Sequence, residues 1–60
     1  MRINYIDEKD ELLSSTEDYV PDVGEWIDID DISYEVEDKK VKIIALHTEI
    51  DVRLVERIHG

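Results

Sequence analysis

The stretch that decides the fold class is Ile32-Ser33-Tyr34-Glu35-Val36-Glu37. Apolar and polar residues alternate along it. Because successive side chains of a strand point to opposite faces, a period of two predicts a half-buried β-strand. The even-numbered residues would face the interior and the odd-numbered ones would face water. The chain is therefore expected to be built from strands.

A turn and a second strand precede this stretch. Val20-Pro21-Asp22-Val23-Gly24-Glu25 combines a proline, which fixes φ, with a glycine, which accepts a positive φ. That combination reverses a chain ahead of a strand. Trp26-Ile27-Asp28-Ile29 follows as a strand with Ile27 and Ile29 inward, and Asp30-Asp31 is expected to form a tight turn.

Two placements remain open for the turn after residue 37. Either Asp38-Lys39-Lys40 closes a hairpin before a strand over residues 41–46, or one long strand runs through both segments. In both cases His47-Thr48-Glu49 is expected to turn the chain. The last strand would then run from Ile50 to Ile58.

The N-terminal segment adds a hairpin. Residues 2–6 alternate as a strand with Ile3 and Tyr5 on one side, and residues 7–10 form a polar turn. Residues 11–15 form a partner strand or one helical turn, and the pattern favours the strand. Residues 1–60 are thus predicted to be a single small domain of mostly β class. It would be an antiparallel sheet or an SH3-like barrel of four to six strands.

The small size of the chain limits its stability. With 60 residues and no cysteine, it has neither a disulfide nor a Cys-based zinc site to support a small core. Residues 41–46 are apolar on both faces of the predicted strand, and such a strand must be covered on both sides. We therefore expect a homodimer with Ile44, Leu46 and Val55 at its interface. A closed barrel that leaves one residue exposed is the alternative.

The chain is strongly acidic, with 17 Asp and Glu, 7 Lys and Arg, and a net charge of -10. This charge would repel nucleic acids and anionic membrane surfaces. The longest apolar run, Ile43-Ile44-Ala45-Leu46, is far shorter than the ~20 residues of a membrane helix, and the N-terminus lacks the apolar core of a signal peptide. A cytoplasmic protein without direct nucleic-acid or membrane binding is expected.

The charge is also unevenly distributed. Residues 1–38 hold fourteen of the acidic residues and two of the basic ones, whereas residues 39–60 carry a small net positive charge. One interpretation is that basic strands lie beside acidic ones and form cross-strand pairs. The other is that part of the acidic half stays uncovered and faces a basic partner. The two interpretations are compatible.

Candidate catalytic and metal-binding motifs are incomplete. His47, Glu49 and Asp51 have the spacing of metal ligands on a strand, but the predicted turn falls among them. The acidic run at residues 28–31 lacks the spacing of a calcium loop. No serine has a neighbouring histidine, and two glycines are too few for a phosphate-binding loop. We expect neither an enzyme nor a bound metal or cofactor.

Two features favour protein binding instead. Tyr19 lies in an acidic loop, and Trp26 is out of phase with the inward isoleucines, so both could be exposed aromatics ringed by carboxylates, as in binding hot spots. The acidic residues around them could also imitate a phosphate backbone if they share a surface, although solubility alone explains such a surface. The predicted partner-binding residues are Tyr19, Glu25, Trp26, Asp28, Asp30, Asp31, Glu35 and Glu37.

The chain from Val20 to Ile58 resembles a known group of proteins. Its pattern is Val20-Pro21-x-Val23-Gly24-Glu25-x-Ile27-x-Ile29, then Tyr34-x-Val36, then Val52-x-Leu54-Val55-Glu56-Arg57-Ile58. This pattern is similar to that of very small β-strand proteins encoded by phages and prophages, and most of all to short anti-defence inhibitors of the Hachiman anti-defence type. The resemblance implies a small homodimer that binds and disables a component of a bacterial immune system.

The expected function is therefore inhibition by stoichiometric binding. The target would be a bacterial antiphage-defence protein with a basic surface, such as a nucleic-acid-processing defence complex. One alternative is a small assembly module of a phage particle or larger complex. Another is a sponge for a signalling nucleotide, whose pocket could be lined only by Lys39, Lys40, Lys42, Arg53 and Arg57.

Overall fold

The structure, a computed structural model, describes residues 1–57. These residues form five strands and no helix, and hence no helix that could cross a membrane. The predicted end of the last strand at Ile58 lies outside them. The strands are β1 (Arg2–Ile6), β2 (Leu12–Thr16), β3 (Trp26–Ile29), β4 (Ile32–Ile44) and β5 (His47–Arg57).

The five strands form one curled sheet, a half-barrel with the order β2-β1-β5-β4-β3. Strand β1 pairs with β5 in parallel, and the other neighbouring strands pair antiparallel. The predicted mostly β class and strand number are confirmed. The sheet is mixed because β1, the first strand along the chain, runs parallel to its neighbour β5, the last of the described strands.

The core lies on the inner face of the half-barrel and is centred on β5. Val52 and Leu54 have no exposed surface, and the neighbouring strands supply the other buried side chains. Fully burying an aliphatic side chain of this size stabilises a fold by roughly 1.5–3 kcal/mol. The flanking core residues are Ile3, Tyr5, Tyr34 and Val36, with Leu13, Val20, Ile27, Ile29 and Ile50 packed against them.

Strand β4 is continuous, so the alternative of a hairpin closed by residues 38–40 is wrong. A β-bulge between Val36 and Asp38 places one extra residue in the strand. Val36 pairs with Leu54 and Val41 pairs with Ile50, so even-numbered residues face inward before the bulge and odd-numbered ones after it. The bulge therefore accommodates the change of phase in the apolar pattern that left this region ambiguous.

The turn predicted at residues 47–49 is wrong, because these residues belong to β5. Ile44 pairs with His47, so the β4–β5 hairpin closes with Ala45 and Leu46. Ala45 has a φ of 52°, a left-handed conformation that costs an L-residue roughly 1–2 kcal/mol. The Asp30-Asp31 turn is confirmed, with φ values of 51° and 66° as a type I′ hairpin requires.

The segment between β2 and β3, residues 17–25, packs onto the core between the two edge strands. Pro21 is fully buried, and Gly24 has a φ of 93° that suits a residue without a side chain. The Gly24 amide donates to the Val36 carbonyl (2.8 Å), and the Val36 amide donates to the Glu25 carbonyl (2.9 Å). The segment thus extends the pairing of β3 along β4 as far as Val36.

The distal end of the β4–β5 hairpin, residues 41–48, is termed the arm. The molecule measures 44 Å along its longest axis and 22 Å along the next. Ile43 is 80% exposed and Leu46 fully exposed. The arm therefore presents apolar side chains to solvent at the end of β4 opposite to the Asp30-Asp31 turn.

We expect Leu54→Ala to lower the free energy of unfolding by about 2–5 kcal/mol, because it leaves a cavity in a fully buried site. Leu12→Ala removes the same atoms from a side chain that is 63% exposed, and should change the value by about 0.5 kcal/mol or less. Urea unfolding followed by circular dichroism measures both. Equal effects of the two substitutions would contradict the assignment of the core.

Candidate protein-binding surface

The outer face of the β3–β4 hairpin carries an exposed aromatic beside a carboxylate. Trp26 pairs with Glu35 across the hairpin, and Glu35 pairs in turn with Val55 of β5. Since Ile27 packs against the core on the inner side, these three residues form a row on the outer side. Trp26 is 50% exposed. The prediction that Trp26 is out of phase with the buried isoleucines is confirmed.

Carboxylates continue this surface toward the hairpin turn. Asp28 pairs with Ser33, whose hydroxyl donates to Asp28 Oδ1 (2.7 Å). Asp30 and Asp31 are exposed at the turn itself. The name acidic face is used for the surface formed by Trp26, Asp28, Asp30, Asp31 and Glu35.

The acidic face has little compensating charge. Arg57 Nε donates to Glu35 Oε1 (2.9 Å). Within residues 1–57, no other carboxylate of the face lies within 4.0 Å of a basic side chain. The face therefore presents four carboxylates and one guanidinium around a half-exposed indole, and its electrostatic potential favours a cationic partner.

Tyr19 and Glu25, two further predicted contact residues, form a pair in the segment that precedes β3. The Tyr19 hydroxyl donates to Glu25 Oε1 (2.7 Å), and Glu25 directly precedes Trp26. The hydrogen bond to the Glu25 carboxylate raises the pKa of Tyr19, so the phenol remains a donor at neutral pH. The Tyr5 hydroxyl donates to the Tyr19 carbonyl over a long 3.5 Å. Burial and the Glu25 charge raise the pKa of the core residue Tyr5, so Tyr19 and Glu25 lie on the inner side of the sheet and are not part of the acidic face.

Glu37, the last predicted contact residue, lies elsewhere. It is exposed at the bulge of β4 and lines an open groove on the outer face of β1, β5 and β4, with a volume of about 810 Å³. This outer groove contains four of the cations proposed for a nucleotide pocket, but an equal number of acids lines it as well. The charged lining residues are Lys39, Lys40, Lys42, Arg53, Asp10, Glu37, Asp38 and Asp51.

Three of these cations are already engaged by carboxylates. Lys42 Nζ lies 2.5 Å from Asp51 Oδ2, Lys39 Nζ lies 3.7 Å from Asp22 Oδ1, and Arg53 forms an ion pair with Asp10. The pairs with Asp22 and Asp10 join strand residues to carboxylates in loops. The pair of Arg57 with Glu35 joins β5 to β4, as the cross-strand interpretation of the charge expected. A groove with balanced charge does not favour a nucleotide sponge.

The three residues with metal-ligand spacing lie on the outer face of β5 and make other contacts. Asn4 Nδ2 donates to Glu49 Oε1 (2.8 Å) and to Asp51 Oδ1 (3.1 Å), and His47 Nε2 lies 3.0 Å from Glu49 Oε2. The hydrogen bond from Lys42 lowers the pKa of Asp51, and that from Asn4 lowers the pKa of Glu49. No group of side chains that could hold a metal is found among residues 1–57.

This polar network was not predicted from the sequence. Its acceptors follow a period of two along β5, which was visible in the sequence. Its donor Asn4 comes from β1, which lies beside β5 only through the parallel pairing, and no local signal indicates that neighbour.

The predicted dimer-interface residues do not form one patch. Ile44 and Leu46 lie in the arm, whereas Val55 lies beside Glu35, eight residues along β5 from His47 and hence about 26 Å away. The homodimer stays a prediction, which sedimentation equilibrium would test.

Comparisons with protein-family models, curated proteins and solved structures find no match to this chain. The surface is therefore interpreted from its geometry and charge.

We expect the substitution Lys42→Met to destabilise the protein at pH 7 and to destabilise it less at pH 2. Because the folded-state pKa of Asp51 is lowered, its pair with Lys42 contributes stability above the unfolded-state pKa of about 3.9. That contribution is lost as the pH falls through the folded-state value. Urea unfolding at several pH values measures the difference from wild type.

The matched control is Lys9→Met, which removes the same charge from an exposed turn. Its effect should be small at both pH values. A Lys42→Met effect that persists unchanged at pH 2 would contradict an electrostatic origin.

Proposed function

We propose that this chain is a non-enzymatic inhibitor of the kind that phages use against bacterial defence. It would bind a basic surface of an antiphage-defence protein through the acidic face. The observation that carries the proposal is the half-exposed Trp26 within a set of carboxylates that are largely free of basic partners. The phage origin and the defence target rest on the sequence resemblance alone.

The composition of the acidic face supports protein binding. Tryptophan is among the residues most enriched at interface hot spots, where a large apolar side chain is desolvated inside a polar rim. Here Glu35 and Val55 flank the indole across the sheet, and Asp28 lies two residues along β3. A partner that covers Trp26 would therefore meet carboxylates at the edge of the contact.

The charge of the face supports a basic partner. An acidic surface steers a cationic protein into the encounter complex and raises the association rate at low salt. Proteins that process nucleic acids expose basic surfaces for phosphate. An acidic face of this kind could occupy such a surface in a one-to-one complex, and no catalytic group is needed.

A second candidate function is an assembly module that docks in a virion or larger complex through apolar contacts. The exposed apolar side chains of the arm favour it. Ionic strength separates the two candidates, because apolar docking changes little with salt whereas steered binding to a basic surface weakens.

We expect tagged protein to retain a bacterial partner from lysate at low salt and to lose it at high salt, with mass spectrometry identifying the partner. The double variant Trp26→Ala, Asp30→Lys should bind the purified partner at least about 30-fold more weakly, as for loss of a hot-spot residue. Isothermal titration calorimetry measures the affinity, and circular dichroism checks the fold.

The matched control is the double variant Leu12→Ala, Glu8→Lys. It removes an exposed apolar side chain and reverses one charge on the β1–β2 hairpin, so it should bind like wild type. Equal losses for both double variants would contradict the acidic face as the site. A virion protein retained at high salt would favour the assembly module.

A further inference from the structure

Strand β4 has an open edge along its second half. On the side away from β5, β3 pairs with residues 32–35, and Gly24 and Glu25 bond to Val36. Beyond the bulge, no strand among residues 1–57 pairs with that side of β4. The open edge, defined as Asp38 to Ile44, is seven residues or about 23 Å long. It could hold one further strand in line with β3.

Alternate backbone amides and carbonyls of this edge point to the side of β4 that has no neighbouring strand among the described residues. The Lys39 amide donates to the Asp38 carboxylate (2.8 Å). Ile44 and His47 are the hydrogen-bonded pair that closes the two-residue β4–β5 turn, so the amide of Lys39, an odd number of residues before Ile44, points away from β5. Because backbone groups alternate in direction along a strand, the amides of Val41 and Ile43 point the same way as that of Lys39. An incoming strand would therefore meet main-chain donors and acceptors at alternate residues.

The side chains beside the edge define what such a strand should carry. On the outer face Asp38, Lys40 and Lys42 follow one another. Lys42 is paired with Asp51, whereas Lys40 has no carboxylate within 4.0 Å among the described residues. On the inner face Val41 is 63% exposed and Ile43 is 80% exposed. A neighbour with acids on one face and apolar residues on the other would pair favourably with both sets.

Strand β3, which pairs with the first half of β4, already has apolar residues on its inner face and an acid on its outer face. Ile27 and Ile29 pack against the core, and Asp28 lies on the outer face. A partner strand with alternating acidic and apolar residues would continue that pattern from residue 38 onward. The edge thus selects its neighbour by charge on one face and by apolar contact on the other.

Pairing with the same lysine-bearing stretch of β4 from a second copy does not suit the edge. If two β4 edges paired antiparallel about Val41, each Lys40 would lie opposite a Lys42, and like charges directly opposite are destabilising. Centring the pair on Lys40 or Lys42 places that lysine opposite its own copy. Edge lysines commonly prevent such self-pairing, and here they also favour an acidic partner.

We propose that the open edge of β4 accepts an extended segment of another protein by strand addition, and that this segment alternates acidic with apolar residues. Main-chain hydrogen bonds would supply affinity and the two side-chain faces would supply specificity. This inference goes beyond the proposed function. It concerns the second half of β4 and stands whether or not the acidic face binds a target.

The probe is a capped heptapeptide, Glu-Ile-Glu-Val-Glu-Ile-Glu, titrated into the ¹⁵N-labelled protein at physiological salt. We expect the amide resonances of Lys39, Val41 and Ile43 to shift, and the hydrogen exchange of the Val41 and Ile43 amides to slow because these two gain carbonyl partners. The same peptide with Lys in place of Glu should bind at least about tenfold more weakly, a difference of about 1.4 kcal/mol.

Two changes remove the main-chain contact. Val41→Pro lacks the donor amide at a position where an edge strand tolerates proline, and should bind at least about tenfold more weakly. A peptide N-methylated on the amides that face β4 tests the same contact without altering the protein. The N-methylated peptide therefore tests the main-chain contact even if the proline variant does not fold.

Four results would overturn the proposal. The Glu peptide could leave these three amides unshifted up to about 1 mM, the weak end of specific binding. The Glu and Lys peptides could bind equally, or the N-methylated peptide could bind as well as the unmodified one. Shifts of the same amides with protein concentration alone would show that a second copy occupies the edge.

Discussion

The pairing of β5 with strands on both of its sides is the constraint on which the rest of the structure depends. Strand β1 joins it in parallel and β4 joins it antiparallel, so β5 is the central strand of the sheet. Its side chains Val52 and Leu54 have no exposed surface, and the core is arranged about them. Each of the other four strands pairs either with β5 or with a neighbour of β5, and this pairing positions its side chains in the core. The same strand also carries Glu49 and Asp51, which hold Asn4 and Lys42 on the opposite face.

The bulge in β4 divides the molecule into two regions of different character. Before it, β4 pairs with β3 and presents the acidic face, where Glu35 lies beside Trp26. After it, the strand reverses its faces, so Lys40 and Lys42 turn outward and Val41 and Ile43 turn inward beyond the covered core. One inserted residue therefore separates an acidic surface from a basic and apolar one along a single strand. Each surface can meet a different kind of partner.

Local patterns were sufficient to predict much of this fold. The alternation in residues 32–36 and the Asp30-Asp31 turn predicted the β3–β4 hairpin, and the phase of Trp26 predicted its exposure. The β4–β5 turn was misplaced because Ala45 adopts a positive φ that its residue type does not indicate. The parallel pairing of β1 with β5 joins residues more than 45 positions apart, which no local period reports. The polar network of Asn4 was missed for the same reason.

The central position of β5 has a consequence for synthesis of the chain. Strand β5 is made after the other four, so β1 and β4 have no shared neighbour until residues 47–57 have emerged from the ribosome. Until then the chain can form only two separate two-stranded hairpins, which are marginal in water. Tyr34 and Val36 would remain accessible to other nascent chains during this interval. The dense negative charge of residues 1–38 would repel a second nascent copy of this chain, so the acidity would act against self-association before the protein is folded.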